Sequence, residues 1–398
     1  MVRELENDTP GSKPISCSPV LPTPHSIDNR ELSMPKSSID STASAVARLI
    51  EIGRKQVDDF GIACVVNVAS GEYRSEFDRS IEYFTEEELE EIVGGFREAG
   101  FYTDVFVGED SFIRWVDGGG LNHFARNRTL VYNTAQTGSA PGRKSLIPAF
   151  CQLHGISTLN ANPYAVSLSR QKFHVNAILR SVGIPAPECH WYVGEGRWLA
   201  DRRPPIGRIV LAKASFEAAS IGLEKRSRFE FTGAEDEFLE ELVAELSQPI
   251  LVQEFIEGRE AETPVLCQGN DVLTLDPVGI SIGGEKNPGS LFLDYSRVCN
   301  DDYGFYDFAP NEQDLAHRLK AIARQVVDTL QFGGFARVDV RIRDGGEPLV
   351  TDVATSPHLV RHSAYGHRFA NLGGRSAMAS ALVGLAVLNK NKNIVEER

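Results

Sequence analysis

The chain has 398 residues, with 41 Lys and Arg against 55 Asp and Glu, a formal net charge of −14. A chain this long buries roughly three quarters of its unfolded surface, and about 150 residues per domain predicts two or three domains. So acidic a protein has no general attraction for nucleic acid or an anionic bilayer, so bound charge belongs in a local basic pocket for a small anion. Cys17, Cys64, Cys151, Cys189, Cys267 and Cys299 have neither zinc-knuckle nor CxxC spacing, which argues against a thiolate metal site and for a reducing cytoplasm. The N-terminus lacks an apolar signal core, and no uncharged apolar run nears the roughly 20 residues of a membrane span.

Residues 1–43 are rich in Pro, Ser, Thr and Asn and are predicted to be a disordered tail. From residue 60, strand and helix alternate. GIACVVNVAS reads as a buried parallel strand. Thr85 and Glu88 form a capping box for a helix whose stripe is Leu89, Ile92, Val93 and Phe96, ending at Gly100. FYTDVFV and TLVYNT are further strands, and Lys144–His154 and Tyr164–Val182 are predicted helices. The middle of the chain offers the strand RIVLAKAS, the small-residue turn FEAASIG, a returning strand in GLEKRSRF, an acidic helix EDEFLEELVAEL and the strand PILVQEFI. Beyond it lie strands around GREAETPVLC and DVLTLDPVGISI joined by a turn at Gly269-Asn270, a helix from about Glu312 to Leu330, a hairpin, and a last helix around Ser376 to Leu388. The fold class is α/β, with α+β character in the central and C-terminal lobes. The predicted boundaries are 44–170, 171–256 and 257–398, and any active site lies in the clefts between lobes.

The hairpin carries the chemistry. In FARVDVRI, Ala336, Val338, Val340 and Ile342 face one way and Arg337, Asp339 and Arg341 the other. Gly345-Gly346 as a two-residue loop sets Asp344 against Glu347, Ile342 against Leu349, Asp339 against Asp352 and Arg337 against Ala354. Two facing carboxylates about 5 Å apart repel by about 3 kcal/mol at an effective dielectric near 20. A shared proton, Arg341 or a divalent cation can compensate, and Mg²⁺ is usually held by one or two carboxylates plus substrate phosphates. Lys172, Lys213 and the backbone of FEAASIG suit phosphate oxygens, while Glu254 and Glu260 of QEFIEGRE suit an adenine amino group and a ribose hydroxyl.

In that order, Lys172, Lys213 with FEAASIG, QEFIEGRE, ARVDVRI and TDVATSP resemble the ATP-grasp superfamily, and within it the D-alanine–D-alanine ligases and their amide-forming relatives. GRKSLIPAFCQLHGIS and ILRSVGIPAP fall where that family has counterparts, and the likeness runs from about residue 61 to 390. The resemblance implies three lobes with nucleotide between the central and C-terminal ones. It implies Lys172 and Lys213 on the α- and β-phosphates, with Glu217, Ser220 and Gly222 in the lid turn. Gln253, Glu254, Phe255 and Ile256 border the adenine and Glu260 the ribose. Asp339 and Asp352 hold magnesium, with manganese the alternative. Arg337 stabilises developing charge, and Arg297, one position out of register, takes the place of a lysine at the γ-phosphate. The implied reaction joins a carboxylate and an amine through an acyl phosphate, releasing ADP and phosphate beneath a closed lid, in a cytoplasmic homodimer with small-molecule substrates only.

The departures from that family fall on the substrate side. Ala354 replaces a metal-ligating Asn, His358 a Gly, and Arg361 a small polar residue. Ala219 replaces the first lid serine. Ser363 matches a serine that meets a substrate carboxylate, and Glu76 stands nearest to a first-lobe glutamate that meets the donor's amino group. Together these imply a ligase for an amino-acid-like or natural-product substrate, the alternatives being an authentic D-alanine–D-alanine ligase or a non-catalytic ATP-binding module. A hydrolase elbow at Gly279-Ile-Ser281-Ile-Gly283 fails because Gly284 to Gly289, with Pro288 among them, cannot form the helix it needs. Gly138 to Ser145 fails as a phosphate loop because three residues, not four, separate its glycines and Arg143 precedes Lys144.

Overall fold

A computed structural model describes residues 38–69, 71, 75–122, 128–268 and 271–396. The predicted tail up to residue 37 and the Gly269-Asn270 turn lie outside these. The helix Ser38–Arg54 (α1) opens the described chain inside the last residues of the predicted tail, because Val46, Leu49 and Ile50 form an apolar face that has a core to enter.

The first lobe is built on Gly61–Val66 (β1), Glu86–Glu98 (α2), Thr103–Val107 (β2), Glu109–Asp117 (α3), Thr129–Asn133 (β3), Leu146–Leu153 (α4), Ser157–Thr158 (β4) and Pro163–Ser169 (α5). Its parallel sheet has the order β2-β1-β3-β4. The Thr85–Glu88 capping box is present in both directions, at 2.9 and 3.1 Å. The single helix predicted over Tyr164–Val182 is instead two. Asn162 caps α5, Arg170 turns inward, and a new helix Lys172–Ser181 (α6) starts with Lys172 in its first turn.

The middle sheet comprises Cys189–Gly194 (β5), Arg197–Trp198 (β6), Ile209–Ala214 (β7), Arg228–Glu230 (β8) and, after Asp236–Leu246 (α7), Ile250–Glu254 (β9), in the order β6-β5-β9-β7-β8. The returning strand is confined to β8, since Lys225–Ser227 is a 3₁₀ turn. The last lobe holds Arg259–Gln268 (β10), Asp271–Thr274 (β11), Val278–Ile282 (β12), Tyr295–Cys299 (α8), Tyr303–Asp307 (β13), Gln313–Leu330 (α9), Gly334–Ile342 (β14), Pro348–Ala354 (β15), Ala364–Phe369 (α10) and Gly374–Glu396 (α11). Its sheet runs β13-β12-β10-β14-β15, with β11 on β10.

First and last lobes share one hydrophobic core. Ile62, Phe84, Phe96 and Tyr132 from the first pack with Phe335, Tyr365, Leu382 and Val383 from the last. Helices α1 and α11 touch backbone to backbone, since a Cβ on Gly384 would lie 2.1 Å from the Leu49 carbonyl oxygen. The middle sheet has its own core around Tyr192, Trp198, Leu242 and Val252. Among the described residues no single helix is long and apolar enough to cross a membrane.

Candidate active site

The β14–β15 hairpin meets the expected pairing by a different route. Arg343 N–H donates to Glu347 O at 2.9 Å and Gly346 N–H to Arg343 O at 2.7 Å, so the loop is Asp344-Gly345-Gly346, with Gly346 alone at positive φ (82°). The third loop residue shifts the register by one, and Ile342 faces Pro348 rather than Leu349. An irregularity between Asp339 and Val340, where Thr351 is the extra residue, shifts it back. Asp339 therefore faces Asp352 and Arg337 faces Ala354.

The two acids are compensated by protein cations. Arg337 Nε and Nη2 donate to the two oxygens of Asp339, each at 2.7 Å. Lys172 Nζ donates to Asp352 Oδ2 at 2.7 Å, which the α5–α6 break makes reachable. Burial pushes the Asp352 carboxyl up, but Lys172 and Lys213 outweigh it and hold the group below its ordinary range. Lys213, on β7, donates to Thr351 O at 3.2 Å, and burial lowers its pKa. Arg341 does not reach these acids: it donates to Ile256 O, Gly258 O and Glu260 Oε2, at 2.6, 3.2 and 3.0 Å.

These groups line a cavity of about 330 Å³ between the middle and last sheets. Of the expected nucleotide residues, Lys172, Lys213, Ser220, Gln253 to Ile256 and Glu260 all line it. The Phe255 ring lies between the guanidinium groups of Arg228 and Arg341, 4.8 Å from each. The Glu254 carboxylate instead turns to Arg208 and Arg343, at 3.0 and 3.1 Å. In the lid turn Ala219 and Ser220 are both left-handed (φ 49° and 55°), a strain of about 1 kcal/mol or more each. Ser220 Oγ donates to Leu293 O at 2.7 Å and Gly222 N–H to Glu76 O at 2.8 Å, anchoring the turn at both ends.

Gly222, expected in the lid turn over the triphosphate, is not on the cavity wall, and four other expectations change. Glu217 lines the cavity, yet both its oxygens are committed to protein: Oε1 accepts from Arg79 and Gln248 at 3.0 and 2.8 Å, and Oε2 from Arg143 at 2.5 Å. Arg361 is exposed, facing Glu91 at 3.6 Å outside the cavity. Glu76 meets the lid through its backbone alone among its described contacts, and does not line the cavity. Arg297 is bound to Asp294 in its own short helix and is also off the cavity wall. His358 and Ser363 do line it. Burial lowers the His358 pKa, with Lys144 and Arg337 adding to the effect and Glu88 and Glu82 opposing it. The Ser363 hydroxyl accepts from Gly366 N–H at 2.9 Å as the N-cap of α10 and donates to Val360 O at 2.6 Å.

Apart from Glu217, sequence reasoning missed the opposite wall. Glu82, Arg143, Arg170 and Glu217 form a buried network, with Arg170 Nη2 2.9 Å from Glu82 Oε1, which also accepts from Ala218 N–H at 2.6 Å. Burial would push the Glu82 carboxyl up, but Arg170, Lys144 and Arg143 hold it far below its usual range. Lys144 faces the cavity with no hydrogen-bond or ion-pair partner for its Nζ among the described residues, and burial brings its pKa down to about 8. Glu262 was missed as well. It stands opposite Asp339 on β10 and is 7% exposed, with one oxygen 3.3 Å from Arg337 Nη1. Burial raises its pKa, and Asp339 and Glu260 act in the same direction against Arg337.

Two facing carboxylates beside a cavity with two lysines fit one magnesium ion shared with a polyphosphate, while Ala354 supplies no further ligand. Among the described residues no group of three or more His, Cys, Asp or Glu is gathered for a metal.

Residues 183–380 match the family described as D-ala D-ala ligase C-terminus. The chain is 26% identical over 263 residues to an uncharacterised protein, y4sG, of Sinorhizobium fredii, covering 62% of this chain and 73% of that one. It is 26% identical over 240 residues to a D-alanine–D-alanine ligase of Ralstonia pickettii, covering 59% and 67%. The D-alanine–D-alanine ligase of Bacillus anthracis, solved with ATP, superposes with a TM-score of 0.61 at 15% identity, over 83% of this chain and 99% of that one. That likeness establishes the fold.

Proposed function

Since the chain is an ATP-grasp protein of the D-alanine–D-alanine ligase type at low identity, we propose that it is an ATP-dependent carboxylate–amine ligase. The observation that carries the reading is the Asp339–Asp352 pair, set with Lys172, Lys213 and Arg337 around one cavity between two sheets. A carboxylate attacks the γ-phosphorus and ADP leaves; the amine then attacks the acyl carbon and phosphate leaves. Lys172 and Lys213 neutralise phosphate charge, the 253–256 segment borders the base, and Glu260 takes the ribose. Asp339 and Asp352 would hold magnesium, which supplies charge neutralisation and orientation of the phosphates. Arg337 stabilises charge on the acyl carbon's oxygens, and the lid turn keeps water from the acyl phosphate.

Ala354 and His358 argue for substrates other than two D-alanines, an amino-acid-like or natural-product pair. The test is phosphate release from a panel of carboxylates crossed with amines, with products identified by mass. Release is expected only when both partners are present. Asp339→Asn, nearly isosteric, is expected to lower kcat by about 10² to 10³ while leaving the melting temperature close to wild type. Undiminished turnover in that variant would overturn the metal assignment, and no stimulation by any pair would favour an ATP-binding module that forms no amide.

A further inference from the structure

The cavity wall carries a carboxylate that the fold uses through one oxygen only. Glu262 Oε2 is buried without a hydrogen-bond partner, and the residue lines the cavity. Its other oxygen faces Arg337 Nη1, while Nε and Nη2 of the same guanidinium donate to Asp339. The guanidinium thus already faces two acids, whose negative charge an incoming carboxylate would meet. A buried acceptor left unpaired is costly, and an ammonium group is the partner that satisfies it with both charge and N–H donors. Across the same space Tyr303, Phe305 and His362 form an aromatic wall, their ring centroids 4.7 to 5.7 Å apart, and all three line the cavity. Aromatic faces attract a cation.

Resting on the ligase reading, we infer that Glu262 and the Tyr303–Phe305–His362 wall form a subsite for a positively charged acceptor. The second substrate is then an amine with a further cationic nitrogen, of the diamine class, rather than an α-amino acid presenting its carboxylate to Arg337.

The test is calorimetry on the full chain with Mg²⁺ and a non-hydrolysable ATP analogue, titrating 1,4-diaminobutane and, separately, alanine. The diamine is expected to bind at least tenfold more tightly than alanine. Glu262→Gln should remove that advantage while the affinity for the ATP analogue stays within about twofold, which also certifies the fold. Equal binding of the two amines, or a Gln variant that keeps the preference, overturns the inference. So does a Gln variant that weakens Mg²⁺ binding and leaves the diamine unaffected, because the carboxylate then belongs to the metal. If the analogue does not bind the wild type, the ligase reading falls by itself, and the diamine titration, run without nucleotide, still decides the subsite.

Discussion

Lys144 shows what the site costs the fold. Its ordinary pKa of 10.5 is brought down to about 8, first by burial and then by Arg170, Arg143 and Arg337, with Glu82 opposing. The folded chain therefore holds this proton less tightly than the unfolded chain. The charge costs stability in full below pH 8, and the cost fades as pH rises towards the unfolded value. Lys144→Met is expected to raise stability at pH 7 by about 1–3 kcal/mol, with the gap closing near pH 10, and to weaken phosphate binding. Urea midpoints of both proteins at the two pH values measure it; a gap independent of pH would show that packing, not charge, sets the difference. No local pattern marks Lys144 or Glu262 as part of a site. The helix and strand that carry them are readable, but their neighbours Arg170, Glu82 and Arg337 arrive from distant positions, and only the folded chain brings burial and charge together.

Element by element, the sequence discloses most where one face alternates with another. The alternation of Arg337, Asp339 and Arg341 against Val338 and Val340 survives intact, and so does the meeting of the two aspartates. The loop does not, because paired glycines allow positive φ at either or both positions, and one left-handed residue after Asp344-Gly345 suffices. The bulge at Thr351 has no glycine or proline to announce it. The break between α5 and α6 is equally silent, since Arg170 leaves the helix for buried carboxylates that no helix rule contains. The contact of α1 with α11 is of this long-range kind and makes its own test. Gly53 and Gly384 let the two backbones touch, a Cβ on Gly53 falling 1.8 Å from Ser380 O. Gly384→Ala gains helix propensity of about 1 kcal/mol but must push α1 away. A net loss of about 1–3 kcal/mol is expected, with exchange of α1 amides quickened; an unchanged or higher melting temperature would mean that α1 adjusts freely.

At the scale of the molecule, the cores divide the chain in a way that the three sheets alone do not. First and last lobes are knitted into one core by α11, whereas the middle sheet packs mainly upon itself. Polar contacts tie the middle sheet to the rest, among them Lys213 to Thr351 O, Arg343 to Glu254 and a set at the lid. Arg79 pairs with Glu217 and donates to Leu246 O, Ala218 donates to Glu82, and Tyr295 N–H donates to Leu223 O at 2.9 Å. A swing of the middle sheet away from the shared core, admitting a nucleotide under this turn, would break those contacts and re-form them on closing. Hydrogen exchange tests this directly. Without nucleotide, amides of β7, β8 and β9 are expected to exchange faster than those of β1 and β14, whose strands lie in the fixed body. Addition of Mg²⁺ and an ATP analogue should slow the middle sheet and leave β1 nearly unchanged. Arg79→Ala, which loses the Glu217 and Leu246 contacts at a residue that does not itself line the cavity, should speed exchange in the middle sheet alone. Equal slowing over the whole chain would mean that nucleotide merely stabilises one rigid body, and the hinge between cores would have to be abandoned.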